Sequence, residues 1–193
     1  MRTISNVWEK LYVNLGQIDP KYPLRNKVVR RTMGPSGYKR QAETIIEELD
    51  PQDSALEIGC GFGGLALEIL KLIRMKYTVV DNNPMLMQTK KYLGDKVEYI
   101  EAKKIETLQD RKYGLFISNS CLSETPSEYR KYILENIIKN CQRLFIIDRN
   151  DIIISKPEIF FMNIEEWIEK YFTVKKSYLK KNQTMYIGKR KKA

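Results

Sequence analysis

The segment Ala-Leu-Glu-Ile-Gly-Cys-Gly-Phe-Gly-Gly-Leu-Ala-Leu, residues 55–67, determines most of the structural interpretation of this chain. A short apolar strand pattern containing Glu57 leads into glycines at Gly59, Gly61 and Gly63, and a second apolar run then predicts a helix. Glycine allows a sharp turn, partly at positive φ, and leaves room for a ligand against bare backbone. The segment therefore predicts a strand–turn–helix unit with a ligand beside the turn.

A carboxylate ends the next predicted strand, where Tyr77-Thr78-Val79-Val80 is followed by Asp81. An acid at this place accepts hydrogen bonds from ribose hydroxyls in nucleoside-binding α/β folds. Dinucleotide-binding proteins space their glycines as G-x-G-x-x-G, whereas this chain has G-x-G-x-G preceded by Glu57. An acid beside the turn would repel a pyrophosphate, which favours a cationic nucleoside ligand. The competing interpretation is a structural glycine-rich turn in some other α/β protein.

This arrangement resembles the first motif of class I S-adenosylmethionine-dependent methyltransferases. The resemblance implies S-adenosyl-L-methionine as cofactor, with Glu57 holding the glycine turn or, through water, the cofactor's amino group. It also implies that Asp81 binds the ribose and that Asn119 lines the methionine end of the cofactor or the methyl-transfer channel. The implied cofactor-binding residues are Glu57, Gly59, Cys60, Gly61, Gly63, Asp81, Asn82, Met85, Ala102 and Asn119. Many such enzymes have an acid after the third strand, where this chain has Lys103-Lys104.

Hydrophobic periodicity predicts alternating strands and helices along the chain. The predicted strands are 55–59, 76–81, 96–101, 115–119, 143–148, 173–179 and 184–188, and the predicted helices are 38–49, 63–73, 84–93, 127–140 and 163–171. We therefore expect an α/β, Rossmann-like, doubly wound seven-stranded sheet. A short turn precedes the last strand, which should run antiparallel. Residues 1–36 are predicted to form an N-terminal helix and basic arm, and residues 37–193 the class I methyltransferase domain.

A polar segment follows the fourth predicted strand. Its Cys-Leu-Ser-Glu-Thr-Pro sequence at residues 121–126 resembles a signature of the putative sugar O-methyltransferases, with Thr125 where methionine is expected. The resemblance implies a sugar or nucleotide-sugar type acceptor. Glu124 is the candidate general base or orienting group, and its alternative role is to bind backbone N–H groups of its own loop. Asp148 and Asn150 are further candidate acceptor contacts.

Composition limits the remaining possibilities. The 193 residues, 42% hydrophobic and 30% charged, suit one globular domain. No apolar run approaches the ~20 residues of a membrane span, and no signal peptide is evident. Three cysteines without metal-ligand spacing suit reduced thiols in a cytoplasmic protein. Histidine is absent, so we expect no zinc or other metal site and no histidine base.

The net charge of +10 is concentrated at the two ends of the chain. Residues 1–40 hold nine Lys and Arg against two acids, and residues 174–193 hold eight against none. This distribution indicates either an anionic partner or a solvated surface. Three hypotheses remain open: an enzyme acting on a small molecule, an RNA methyltransferase, or a non-enzymatic scaffold. The small molecule would be anionic if the basic ends face it. The sequence does not determine the oligomeric state.

Overall fold

The protein is described from a computed structural model over residues 35–51, 53–122, 125–149, 164–180 and 183–192. The predicted N-terminal helix and most of the basic arm lie outside these residues. The division at residues 36 and 37 therefore stays a prediction.

Helices and strands alternate along the described chain as the periodicity predicts. The helices are α1 Pro35–Leu49, α2 Gly64–Leu72, α3 Asn83–Leu93, α4 Ser127–Tyr132 and α5 Ile164–Tyr171. The strands are β1 Ser54–Ile58, β2 Lys76–Asp81, β3 Glu98–Glu101, β4 Tyr113–Asn119, β5 Cys141–Arg149, β6 Phe172–Lys180 and β7 Gln183–Arg190. They form one seven-stranded sheet in the order β3-β2-β1-β4-β5-β7-β6.

The sheet has the predicted direction of its strands. Neighbouring strands from β3 through β5 pair in parallel, and β7 runs antiparallel to both β5 and β6. This confirms the expected doubly wound class with an antiparallel last strand. The inner strands are buried because helices cover both faces, which explains their nearly continuous apolar sequences.

Two apolar cores lie on opposite faces of the sheet. One packs α1, α2 and α3 against residues such as Val79 and Ile117. The other packs α4 and α5 against residues such as Phe116 and Ile146. Successive residues of a strand point to opposite faces, so each strand contributes to both cores. The two layers of helices hold the strand ends in fixed positions.

The chain reverses its direction of winding between β1 and β4, which are neighbours in the sheet. Ile58 pairs with Ser118, so the glycine turn after β1 lies next to Asn119 at the end of β4. In open α/β sheets, ligands bind outside the carboxyl ends of the strands at such a reversal. This edge of the sheet is therefore the place for a ligand site.

The predicted helix 127–140 has a more complex form than its periodicity indicates. After α4 it continues with wider π turns over Ile133–Ile137 and ends in a tight 3₁₀ turn over Ile138–Asn140. The Asn136 amide donates to the backbone oxygen of Tyr132 at 3.1 Å, and the Asn140 amide to that of Asn136 at 3.0 Å. Such side-chain bonds compete with the regular helical pattern.

The predicted strand 96–101 begins two residues late because Gly94–Lys96 form a 3₁₀ turn. A further 3₁₀ segment, Ala102–Leu108, follows β3 and was not predicted.

Candidate cofactor site

The three motif glycines all have positive φ, but their surroundings differ. A Cβ at Gly59 would lie 2.3 Å from the Cβ of Cys121, and one at Gly63 would lie 2.7 Å from the Thr89 methyl carbon. A Cβ at Gly61 would meet nothing within 4 Å. Protein atoms therefore pack against the first and third glycines, and Gly61 alone of the three faces open space. We expected all three to admit a ligand; open space lies at Gly61, and the binding role of each glycine stays a prediction.

Asp81 connects the end of β2 to the glycine turn. Its Oδ2 accepts the backbone N–H of Gly61 at 2.9 Å, and its Oδ1 accepts that of Asn82 at 2.7 Å. Burial raises the pKa of Asp81 to about 6, and the two backbone hydrogen bonds oppose that rise. A carboxylate offers about four lone-pair sites. Asp81 can therefore hold the turn and still accept from a diol.

Glu57 lies in β1 and is buried, and its Oε2 accepts the hydroxyl of Tyr77 at 2.9 Å. Burial raises the pKa of Glu57 to about 8, the Tyr77 bond lowers it, and the charge of Asp81 raises it. We expected Glu57 to hold the glycine turn through backbone N–H groups. That contact belongs to Asp81, which lies closer to the turn. A water-mediated contact between Glu57 and a cofactor stays a prediction.

Another predicted binding residue, Cys60, lies within the turn. Cys60 is buried, with its sulfur 3.7 Å from the Thr89 hydroxyl, which donates to the Gly61 oxygen at 2.6 Å. Burial, followed by the charges of Asp81 and Glu57, raises the pKa of the Cys60 thiol well above its usual value. A thiol that stays protonated is a poor nucleophile, so the structure offers Cys60 as a buried side chain that fills space beside the turn.

The start of α3 uses another predicted residue as a helix cap. The Asn82 side-chain oxygen accepts the backbone N–H of Met85 at 3.0 Å, in the first turn of the helix. Asn is a preferred residue at this position. The Asn82 side chain thus fixes the entry into α3, and Met85 is half-buried beside it.

Ala102, another residue that the resemblance implies in cofactor binding, follows the end of β3. Ala102 is buried and its carbonyl oxygen accepts the Tyr129 hydroxyl at 3.1 Å. Glu101, the last residue of β3, pairs in register with Asp81 and forms a 2.7 Å ion pair with Lys103. The hydrogen bond and charge of Lys103 lower the pKa of Glu101. Glu101 is the last residue of β3, one position before the place where the sequence comparison expects an acid.

Asn119 is joined to α1 across 78 residues of sequence: its Nδ2 donates to Oε1 of Gln41 at 3.0 Å. A Cβ at Gly64, the first residue of α2, would lie 2.6 Å from the Tyr38 ring. The beginning of α1 therefore contacts both the end of β4 and the start of α2. Sequence reasoning missed Tyr38 and Gln41 because it considered only the apolar face of this helix.

A buried polar cluster lies beneath the segment after β4. Arg130 and Asp148 are each less than a tenth exposed, and Arg130 Nη2 donates to the Thr125 oxygen at 3.1 Å. Burial lowers the pKa of Arg130 and the neighbouring Asp148 charge raises it. The charges of Arg130 and Asp148 are thus close enough to influence each other. The other candidates on this side, Glu124 and Asn150, lie outside the described residues.

An open groove of about 500 Å³ lies at the opposite edge of the sheet, near Ser54 and Lys76. Its Glu98 carboxylate is bound by Arg111 at 2.8 Å and by the Thr78 hydroxyl at 3.0 Å. The groove lies at the amino ends of the parallel strands, away from the glycine turn. It therefore does not compete with the carboxyl edge as a ligand site.

Two absences hold within the described ranges. No group of three or more His, Cys, Asp or Glu side chains there could hold a metal ion. None of the helices there is both long enough and apolar enough to span a membrane.

Comparison with known proteins finds similarity in structure. No family model matches the chain, and no curated protein matches it in sequence. An O-methyltransferase family protein from Burkholderia thailandensis superimposes with a TM-score of 0.59 at 12% identity, covering 96% of this chain and 70% of that one. Magnesium protoporphyrin IX methyltransferase from Synechocystis, with bound SAM, gives 0.58 at 13% identity and 81% coverage of both chains.

A third neighbour is the N-terminal domain of EvdMO1 with SAH bound. It gives a TM-score of 0.63 at 10% identity, covering 83% of this chain and 82% of that one. The same domain, in the presence of SAH and D-fucose, gives 0.60 at 8% identity, with coverage of 80% and 83%. The protein thus has the fold of class I methyltransferases, as its first motif predicted.

Proposed function

We propose that the protein is an S-adenosyl-L-methionine-dependent methyltransferase. The observation that carries this proposal is the glycine turn after β1, where Gly61 faces open space and Asp81 holds its N–H group. The turn lies at the carboxyl edge of a sheet whose fold is shared with proteins crystallised with SAM or SAH. The proposed cofactor lies along this turn, with its ribose hydroxyls donating to Asp81 and its methionine end toward Asn119.

The proposed reaction requires little covalent chemistry from the protein. The cofactor supplies a reactive methyl group, so the protein aligns the acceptor and removes its proton. In this proposal Glu124 is the general base for a hydroxyl acceptor, and such a base contributes roughly 10²–10⁴-fold to rate. Arg130 binds the Thr125 oxygen one residue after Glu124. This contact holds Thr125, the next residue in the sequence.

For the acceptor we propose a sugar or nucleotide-sugar type small molecule that is methylated on oxygen. Two observations support this choice: the Cys-Leu-Ser-Glu-Thr-Pro segment after β4, and similarity to a domain crystallised in the presence of SAH and D-fucose. The alternative acceptor is RNA held by the basic ends. Lys175 and Lys176 instead form ion pairs with Glu48 and Glu165, each at 2.5 Å. These pairs favour the small-molecule hypothesis.

Cofactor binding tests the proposal first. We expect S-adenosylhomocysteine to bind in calorimetry and to raise the melting temperature by mass action, while NAD does neither. Binding of NAD, with no response to either methionine nucleoside, would contradict the proposal. Turnover of S-adenosylmethionine is then screened in parallel against sugars, nucleotide-sugars and RNA. Methylation of RNA alone would exclude the small-molecule acceptor and leave the cofactor assignment intact.

A further inference from the structure

We infer that Gln41 of α1 is a positioning residue, which orients the Asn119 amide so that its carbonyl oxygen accepts the amino group at the methionine end of the cofactor. This inference rests on the proposed function. It gives α1 a part in cofactor recognition that the motif after β1 does not supply.

The first step is the position of Asn119. It is the last residue of β4, and the preceding residue pairs with Ile58 of β1. Asn119 is therefore aligned with Gly59, the first residue of the glycine turn. A methionine nucleoside lying along this turn would bring its amino-acid end within reach of the end of β4, where parallel sheets bind their ligands.

The second step is the direction of the amide. An asparagine side chain has a donating end and an accepting end. The Asn119 Nδ2 donates to Gln41 Oε1 at 3.0 Å, and the Ser120 hydroxyl lies 3.5 Å from Asn119 Oδ1. Reversing the Asn119 amide would bring two oxygens together at Gln41. The bond therefore keeps the amide nitrogen at Gln41 and leaves the carbonyl oxygen as an acceptor. An ammonium group needs such an acceptor.

The third step is the rigidity of Gln41 itself. It is 8% exposed, and α1 is fixed on the sheet by the buried side chains of Ala42 and Ile45. One turn earlier, the Tyr38 ring packs against the bare backbone of Gly64. A buried amide on an anchored helix loses little further freedom when it holds its partner. This makes Gln41 suited to orienting Asn119 before a ligand arrives.

The test compares two ligands by calorimetry: S-adenosylhomocysteine, which carries the amino group, and 5′-methylthioadenosine, which lacks the whole amino-acid end. We expect Gln41→Leu to weaken S-adenosylhomocysteine binding by about 3–10-fold, the effect of one hydrogen bond. The affinity of the same variant for 5′-methylthioadenosine should stay within about twofold of that of wild type. Gln41→Glu keeps an acceptor for Asn119 Nδ2 and should restore S-adenosylhomocysteine affinity. Gln88→Leu, at a half-buried position on α3, is the matched control.

A purely structural role for Gln41 would displace α1 and weaken both ligands equally, which would overturn the inference. Unchanged S-adenosylhomocysteine binding in Gln41→Leu would also overturn it. Asn119→Ala provides a second measurement: added to Gln41→Leu, it should cause no loss beyond that of Asn119→Ala alone, and additive losses would contradict the inference. If wild-type protein binds neither ligand, the proposed function itself fails. Normal wild-type binding confines any failure to Gln41.

Discussion

Replacing Glu57 with glutamine should remove much of the dependence of folding stability on pH between about 4.5 and 8. Glu57 is buried in β1, and burial raises its pKa from 4.5 to about 8. Below pH 4.5 the folded and unfolded states both bind the proton. As pH rises, the unfolded state releases it first, so wild-type stability should fall until the folded-state pKa of about 8 is passed.

The size of the effect follows from the interval between the two pKa values. A difference of one pKa unit corresponds to about 1.4 kcal/mol. The interval from 4.5 to about 8 therefore corresponds to at most roughly 5 kcal/mol of stability lost across this range. Glutamine carries no titrating proton, and its side-chain oxygen can still accept the Tyr77 hydroxyl. The variant should therefore lose much less stability than wild type.

Urea unfolding at pH 5 and pH 8 measures this difference directly. Asp81, whose pKa is raised to about 6, titrates in both proteins and so largely cancels between them. Glu106→Gln, a change at an exposed carboxylate, should follow wild type and is the control. If Glu57→Gln and wild type lose equal stability between pH 5 and pH 8, the assignment of a protonated, buried Glu57 is refuted.

Three further changes test other parts of the site. Asp81→Asn should weaken S-adenosylhomocysteine binding by about 1–3 kcal/mol in calorimetry, because charge-assisted bonds to the ribose are lost. Wild-type affinity should likewise fall below pH 6, where Asp81 becomes protonated. Unchanged affinity in the variant would place the ribose elsewhere. Gly59→Ala should lower the free energy of unfolding in urea because the new Cβ would meet Cys121. Adding Cys121→Gly should restore part of the lost stability, and no recovery would contradict the contact. Arg130→Met should lower the free energy of unfolding, measured in urea, by about 3–5 kcal/mol because the Asp148 charge stays buried. A decrease below 1 kcal/mol would show that Arg130 does not compensate that charge.

Much of the fold could be predicted because its signals are local. Period-two and period-3.6 patterns located the strands and helices, and the predicted second strand, 76–81, matches β2. The short turn before the last strand predicted its antiparallel direction, which the pairing of β6 with β7 confirms. The 3₁₀ segment Ala102–Leu108 and the π turns after α4 were missed because bonds to distant or polar groups shape them.

The candidate site was predictable in its outline but not in its contacts. The spacing of the glycines indicated a turn at the sheet edge, yet only packing against Cys121 and Thr89 shows that Gly61 is the open one. The bond between Gln41 and Asn119 joins residues 78 apart. No local pattern in one sequence relates residues at that separation, so such a contact requires the folded structure.

The two acids of the site show how burial changes the meaning of a motif. The sequence interpretation treats Glu57 as a negative charge beside a cationic ligand and Asp81 as an acceptor for ribose hydroxyls. Asp81 has two backbone N–H donors that stabilise its charge, whereas Glu57 has the Tyr77 hydroxyl and a pKa of about 8. At neutral pH the empty site therefore presents chiefly the charge of Asp81. If the proposed cofactor brings its positive charge close to Glu57, the pKa of Glu57 must fall, because a nearby cation favours the ionised carboxyl group. Cofactor binding and proton release would then be coupled through a residue that the motif marks only as acidic.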